Sequence, residues 1–292
     1  MTRGARISVV VISRNEGAEL RRTVENLEDT LPDGAEIVVV DDGSTDRSAG
    51  HLARRRGRVR LERVENLGVA RARNFGARQS RGEIIVFADA HIRVAEFWWR
   101  PLAEILEDPK VGGAAGGVTH LPPMPDIGYG LKFKGPDLGV KWLPKRSDAP
   151  YPAPILPGCC MAMRRDVFEA VGGWDEGTFQ RGCVDNEGCV RLWLFGFDLV
   201  IAPEVVVRHR FREKSPYPVA WPQYLHNRLR LAFAHLNPQR LGKVVAAQRR
   251  HPGFGEALLL VMEGGIAARR GEMMARRVRS DDWYFERFGM KW

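Results

Sequence analysis

Three short β-branched runs, Ile7 to Ile12, Ile37 to Val40 and Ile84 to Phe87, alternate at the start of the chain with segments of helical pattern. Those segments run roughly from Gly17 to Asp29, Asp46 to Arg56 and Gly68 to Arg81. Apolar runs this short read as strands buried on both faces of a parallel sheet. Alternation of strand and helix predicts an α/β fold with a right-handed, doubly wound sheet that takes its ligand at the carboxyl ends of the strands. The chemistry is therefore expected just after Ile12, Val40 and Phe87.

Leu121 to Gly158 breaks this rhythm. It holds nine of the 18 prolines, with Gly128, Gly130, Gly135 and Gly139 among them, and reads as a long irregular loop on the acceptor side of the site. Beyond it the pattern predicts a strand near Ile155 to Met163, a helix from about Asp185 to Phe195 and a β-rich stretch from Leu199 to Phe211. After Tyr217 it turns helical to the end. The expected division is a domain over 1–235 and a basic helical extension over 236–292.

With 45 Lys plus Arg against 36 Asp plus Glu, the chain of 292 residues has a formal charge of +9, which favours a polyanionic partner or a phosphorylated small molecule. It shows neither a recognition-helix motif nor the aromatic signature of an RNA-binding sheet, so nucleic acid is not the expected partner. Met1 to Arg6 leads into too few apolar residues for a signal peptide, and no apolar run suffices for a transmembrane segment. Cys159, Cys160, Cys183 and Cys189 have neither CxxC nor zinc-like spacing and read as reduced thiols of a cytoplasmic protein. Trp283, Tyr284, Phe285 and Phe288 near the terminus fit either contact with anionic lipid or a homo-oligomer built through the C-terminal helices.

Four features fall where the sheet delivers them. Ser13-Arg14-Asn15-Glu16 follows the first strand. Asp41-Asp42-Gly43-Ser44-Thr45-Asp46 follows the second, where carboxylates suit a base imide or ribose, Gly43 a tight turn and Asp46 the cap of the next helix. An ordinary strand–turn–helix junction uses the same residues. In Phe87-Ala88-Asp89-Ala90-His91, an extended backbone would project Asp89 and His91 to one side, a carboxylate and an imidazole suited to Mn²⁺ or a similar ion. The alternative is a capping Asp beside a surface His. Last comes Arg208-His209-Arg210-Phe211-Arg212 with Pro216-Tyr217, a histidine among arginines that an anion or a metal-bound diphosphate would reconcile.

These segments, together with Asn66-Leu67-Gly68-Val69-Ala70-Arg71-Ala72-Arg73-Asn74, resemble the family 2 nucleotide-sugar glycosyltransferases of the GT-A fold. Phe87-Ala88-Asp89-Ala90-His91 in place of Asp-x-Asp, Gly172-Gly173-Trp174-Asp175 and His209-Arg210-Phe211-Arg212 are similar to the catalytic domain of polypeptide N-acetylgalactosaminyltransferases. The resemblance runs from about Ile7 to Ala234. It implies that Asp89, His91 and His209 hold Mn²⁺ (or Mg²⁺), that Arg212 and Tyr217 touch the diphosphate of a UDP-sugar and that Asp42 reads uracil. Ser13, Asn15, Glu16, Arg71, Arg73 and Ala90 complete the expected nucleotide-sugar site.

One departure matters. Where the polypeptide enzymes have Glu-Asn, and many family 2 enzymes Glu-Asp, this chain has Val184-Asp185. Inverting family 2 enzymes use an Asp there as general base, so Asp185 is the expected base and Glu187 the second candidate; the other reading is that both complement a helix N-terminus. The metal motif points to a retaining relative and Asp185 to an inverting one. No stretch matches the membrane anchor or lectin domain of the animal polypeptide enzymes, so a peptide or protein acceptor is only slightly favoured over a small metabolite or a polysaccharide or lipid precursor. A catalytically silent nucleotide-sugar binding protein is the reading from a different class.

Overall fold

The computed structural model describes residues 6–292 except Arg56, Lys214 and Val219, so Met1–Ala5 and the end of the helix expected over Asp46–Arg56 lie outside it. In chain order the elements are β1 (Ile7–Ser13), α1 (Ala18–Thr30), β2 (Glu36–Asp42), β3 (Val59–Val64), α2 (Val69–Gln79), β4 (Ile84–Asp89), β5 (Ile92–Arg93), α3 (Trp99–Ile105) and β6 (Val111–His120). There follow β7 (Leu131–Phe133), β8 (Val140–Trp142), β9 (Tyr151–Pro152), β10 (Cys160–Arg164), α4 (Arg165–Ala170), α5 (Val184–Leu194) and β11 (Asp198–His209). Five helices close the chain: α6 (Trp221–His235), α7 (Pro238–Gln248), α8 (Phe254–Glu263), α9 (Ile266–Arg276) and α10 (Asp281–Arg287).

The main sheet has the order β3-β2-β1-β4-β10-β6-β11-β5, with β9 also on β11. Its first four strands are parallel, as the early alternation predicts, whereas β10 runs antiparallel to both β4 and β6. The apolar runs of β1, β2 and β4 are buried on both faces. On α1, Leu20, Val24 and Leu27 recur at helical spacing and are fully buried, each worth roughly 1.5–3 kcal/mol of apolar transfer. Packing of α2 is closer still. A Cβ on Gly76 would lie 2.4 Å from Val10 Cγ1, so the glycine lets the helix backbone settle on the sheet.

Two expectations fail locally. The described part of that segment, Asp46–Arg55, is not an α-helix; it contains a short 3-10 turn at Gly50–Leu52. Asp46 spends its carboxylate on the backbone amides of Gly17 and Ser48, and so caps the approach to α1 rather than a helix of its own. The charged edge strand β3, Val-Arg-Leu-Glu-Arg-Val, lies in what the apolar-run criterion passes over. The strand expected over Ile155–Met163 starts later, at Cys160, because Pro157-Gly158 interrupts it.

Residues 121–158 are irregular with a small β7–β8 hairpin, and Tyr129, Phe133, Leu138, Ile155 and Leu156 sink into the core. The C-terminal helices share that core: Val244, Val261, Met273, Tyr284 and Phe285 join one apolar cluster with Val10, Phe87 and Trp193. The basic tail is more than a solvated face. Arg270 donates to Leu236 O at 2.9 Å, Arg276 to Ala170 O, and Arg279 to Trp193 O and Phe197 O, so arginines cap the carboxyl ends of α6, α4 and α5. No helix among the described residues is long and apolar enough to cross a membrane.

Candidate active site

The carboxyl ends of β1, β2, β4 and β11 open on a cavity of about 410 Å³, closed on its other sides by the start of α2, residues 180–182, the first turn of α5 and residues 215–217. This is where a doubly wound sheet leaves its crevice.

At its floor, β4 ends in Asp89, and Ala90 and His91 form a tight turn into β5. His209 ends β11, whose pairing with β5 places it opposite Ile92. The ligand atoms of Asp89, His91 and His209 all lie within 4.8 Å of one another, the one such group of three among the described residues. Asp89 and His91 therefore converge through a turn, not through the extended backbone that the sequence suggests. His209 Nε2 lies 3.3 Å from Asp89 Oδ2, and His91 Nδ1 donates to Glu16 Oε2 at 3.0 Å. Burial alone would raise the Asp89 carboxyl. The hydrogen bond from His209 and the charges of His91, His209 and Arg73 outweigh that and hold it well below the ordinary range. An anionic carboxylate, two imidazoles and a buried, unpartnered His209 Nδ1 make a donor set that fits Mn²⁺ or Mg²⁺.

Arg212 forks onto Glu16, with Nη1 3.1 Å from Oε1 and Nη2 on Oε2. Tyr217 lines the cavity with the Arg14 guanidinium 5.0 Å from its ring centre. Ser13 lines it too, its hydroxyl buried and without a partner. Asp42 stands at the far wall, where its carboxylate accepts the amides of Leu67 and Gly68. Gly68 has φ +82°, and a Cβ there would meet the Gln180 backbone at 3.0 Å, so the turn admits glycine alone.

Asp185 faces the cavity from the first turn of α5. Its Oδ1 pairs with Arg73 Nη1, while Arg73 Nη2 donates to Gly158 O at 2.8 Å and lies 3.7 Å from Asp89 Oδ1. The Arg73 guanidinium is buried over the Trp174 ring, 5.0 Å from its centre. One buried cation thus links the Asp89 carboxylate to the Asp185 carboxylate.

Four expected site residues lie elsewhere. Glu187 is 1% exposed, held by Arg191 at 3.0 and 2.9 Å and by His235 at 2.8 Å, so it is a buried scaffold ion and not a second base. Asn15 staples two loops: its Oδ1 accepts Thr45 N at 2.8 Å and its own N–H donates to Ser44 Oγ. Arg71 is exposed and donates to Glu176 O, since it sits on the far side of α2 from Arg73. Ala90 is buried, its carbonyl accepting Thr23 Oγ1. Of the arginines around His209, Arg210 lines the cavity and Arg208 points to solvent.

Cavity residues that the sequence reading does not single out include Gln180, Arg181, Gly182, Ser215 and Tyr224. Gln180 and Arg14 both reach Asn66 Oδ1, a polar bridge at the mouth that depends on residues far apart in the chain. Burial pushes the Cys160 and Cys183 thiols up to about 12, so neither is a poised nucleophile.

Known proteins carry the same frame. The model of the family "Glycosyl transferase family 2" matches residues 8–172. Polypeptide N-acetylgalactosaminyltransferase 11 of Xenopus tropicalis is 32% identical over an alignment 263 residues long that covers 79% of this chain and 42% of that one. The probable N-acetylgalactosaminyltransferase 8 of Caenorhabditis elegans is 30% identical, covering 72% of this chain and 56% of its own. The chain thus spans about half the length of the curated relatives it matches. A crystal structure of GalNAc-T7 with UDP, GalNAc and Mn²⁺ superposes with a TM-score of 0.76 at 23% identity, over 99% of this chain and 57% of that one. The mannosyltransferase PcManGT of Pyrobaculum calidifontis, in complex with GDP-Man and Mn²⁺, gives 0.58 at 20% identity, over 99% and 84%. The architecture is GT-A with C-terminal helices packed on it, and the chain belongs to glycosyl transferase family 2.

Proposed function

We propose that the chain is a metal-dependent glycosyltransferase that moves a hexose-type sugar from UDP to a hydroxyl of a peptide or protein acceptor. The observation that carries this reading is the convergence of Asp89, His91 and His209 at the floor of a cavity walled by Arg212, Tyr217 and Asp42. Mn²⁺ or Mg²⁺ held by the three ligands would supply Lewis-acid stabilisation of the departing diphosphate. Arg212 adds a fixed positive charge where negative charge develops. Asp42, tied to the Leu67–Gly68 turn, presents a rigid acceptor edge for the uracil imide. As the acceptor oxygen bonds to the anomeric carbon, the bond from that carbon to the phosphate oxygen breaks and UDP leaves. The acceptor proton passes to Asp185, the α5 carboxylate that borders the cavity.

A peptide acceptor is supported by the Xenopus tropicalis relative, a polypeptide transferase by name. The exposed edge of the 121–158 segment, where the Trp142 and Phe211 rings meet at 6.3 Å, supports an acceptor-side role for that segment. The division into 1–235 and 236–292 is best kept as a functional one, donor chemistry in the first part and shape in the second. A cytoplasmic setting is favoured by four free thiols. Self-association is favoured by exposed Leu259 and Met262 on α8, and sedimentation of the purified chain tests it. The function itself is tested by UDP release across a donor panel with peptide acceptors, with and without Mn²⁺. Turnover indifferent to metal removal would sink it.

A further inference from the structure

Glu16, just before α1, and Glu19, in its first turn, each grip two chain segments at once. Glu16 holds His91 and Arg212, while Glu19 holds Arg93 at 2.9 Å and Arg210 at 3.0 Å. His91 and Arg93 flank Ile92, which pairs with His209; Arg210 and Arg212 follow that histidine. The two carboxylates, 8% and 5% exposed, therefore clamp alternate residues of both segments from one side. They differ in one respect: only Glu16 touches a member of the candidate metal set. A neutral imidazole carries its proton on one nitrogen and ligates a metal through the other. A carboxylate on Nδ1 keeps the proton there and leaves the Nε2 lone pair to the metal.

We propose that Glu16 is a positioning residue that fixes His91 as the Nδ1–H tautomer and, through the same carboxylate, stations Arg212 beside the metal ligands. This rests on the reading of Asp89, His91 and His209 as a metal set. Metal site and diphosphate arginine are then built by one side chain, and losing it disorders both. Glu19 bears the clamp's mechanical share without touching a ligand.

The test is Mn²⁺ titration of the full chain, followed by calorimetry and by the paramagnetic resonance of free Mn²⁺, for the wild type and for E16A, E16Q, E19Q and D89A. Glu16→Ala is expected to weaken Mn²⁺ binding about 10–100-fold. Glu16→Gln, which keeps an oxygen for Nδ1–H and is nearly isosteric, falls between it and the wild type and carries the test if E16A does not fold. Glu19→Gln leaves affinity within about twofold, a change too small to read as loss of an orienting contact of that size. Two-bond ¹H–¹⁵N correlations of the histidine rings show His91 as Nδ1–H in the wild type and as a tautomer mixture in E16A. Wild-type affinity in E16A and E16Q beside lost binding in D89A overturns this proposal and leaves the metal reading intact. Equal losses in E16A and E19Q overturn it as well, since they mark a general packing role. Undiminished binding in D89A overturns the metal reading and this proposal with it.

Discussion

Two clusters built from the same chemistry stand on either side of α5. At the cavity, Asp89, Glu16, His91, His209 and Arg212 combine carboxylates, imidazoles and a guanidinium. Behind the helix, Glu187, Arg191, His235 and Arg269 do the same, with Glu187 and His235 both 1% exposed. In the hidden cluster each Glu187 oxygen meets a cationic or hydrogen-bonding partner within 3.0 Å, while Arg269 Nε and Nη2 are buried without a hydrogen bond. The cavity cluster leaves ligand atoms facing a common space and one imidazole nitrogen unpartnered. Residue type does not separate a site from a scaffold here; an open space shared by the ligand atoms does. Asp185 and Glu187, two residues apart on one helix, fall on opposite sides of that divide.

The sharpest break comes from Asp89→Ala. It should abolish Mn²⁺ binding and lower turnover by at least about 10²–10³-fold, with the melting temperature little changed, read by calorimetry and UDP release. Glu187→Ala should do the reverse. Stranding Arg191 and His235 costs about 3–5 kcal/mol of stability, measured by urea unfolding, while the folded fraction binds Mn²⁺ normally. The same cluster sets an acid limit. Although burial alone would raise the Glu187 carboxyl, Arg191, His235 and Arg269 depress it well below its ordinary 4.5. Its contribution is complete above about pH 4.5 and is lost as pH falls below that value, so the Glu187→Gln variant should show a flatter stability profile through that window.

Asp185→Asn should lower turnover by about 10²-fold, the low end for loss of a proton acceptor, and leave UDP affinity unaltered. Unchanged turnover would return Asp185 to the scaffold side as the partner of Arg73. The smallest effect belongs to Asn15→Ala, about 1 kcal/mol of stability from its lost loop contact, with UDP affinity unmoved.

The sequence made the frame legible because β1, β2 and β4 are buried on both faces and their apolar runs are unbroken. Strand β3 escaped because an edge strand alternates charged with apolar residues. The grouping of Asp89, His91 and His209 was legible through a spacing shared with a family, yet the geometry that gathers Asp89 and His91 is a turn. Arg71 and Arg73 show the limit most plainly: two residues apart on a helix, they point to opposite sides, and only Arg73 reaches the cavity. Gln180 and Tyr224 were invisible because loop closure over the mouth joins residues with no local pattern. The basic tail's role as caps for other helices depends on tertiary docking, which charge alone does not encode.

The irregularity in β11 has a further consequence. Ala202 pairs with Gly116 and Val206 with Gly117, so Pro203, Glu204 and Val205 loop out of the ladder before the strand resumes. The Val205 carbonyl occupies the space where a Cβ of Gly116 would stand, 2.5 Å away. Alternation downstream of that loop decides which member of Arg208-His209-Arg210 looks inward. Adding or removing one residue at 203–205 would turn the imidazole outward and bring an arginine in its place. Evolution thus has a means of dismantling or restoring the Asp89–His91–His209 group at a point in the chain outside it, without altering any of the three residues.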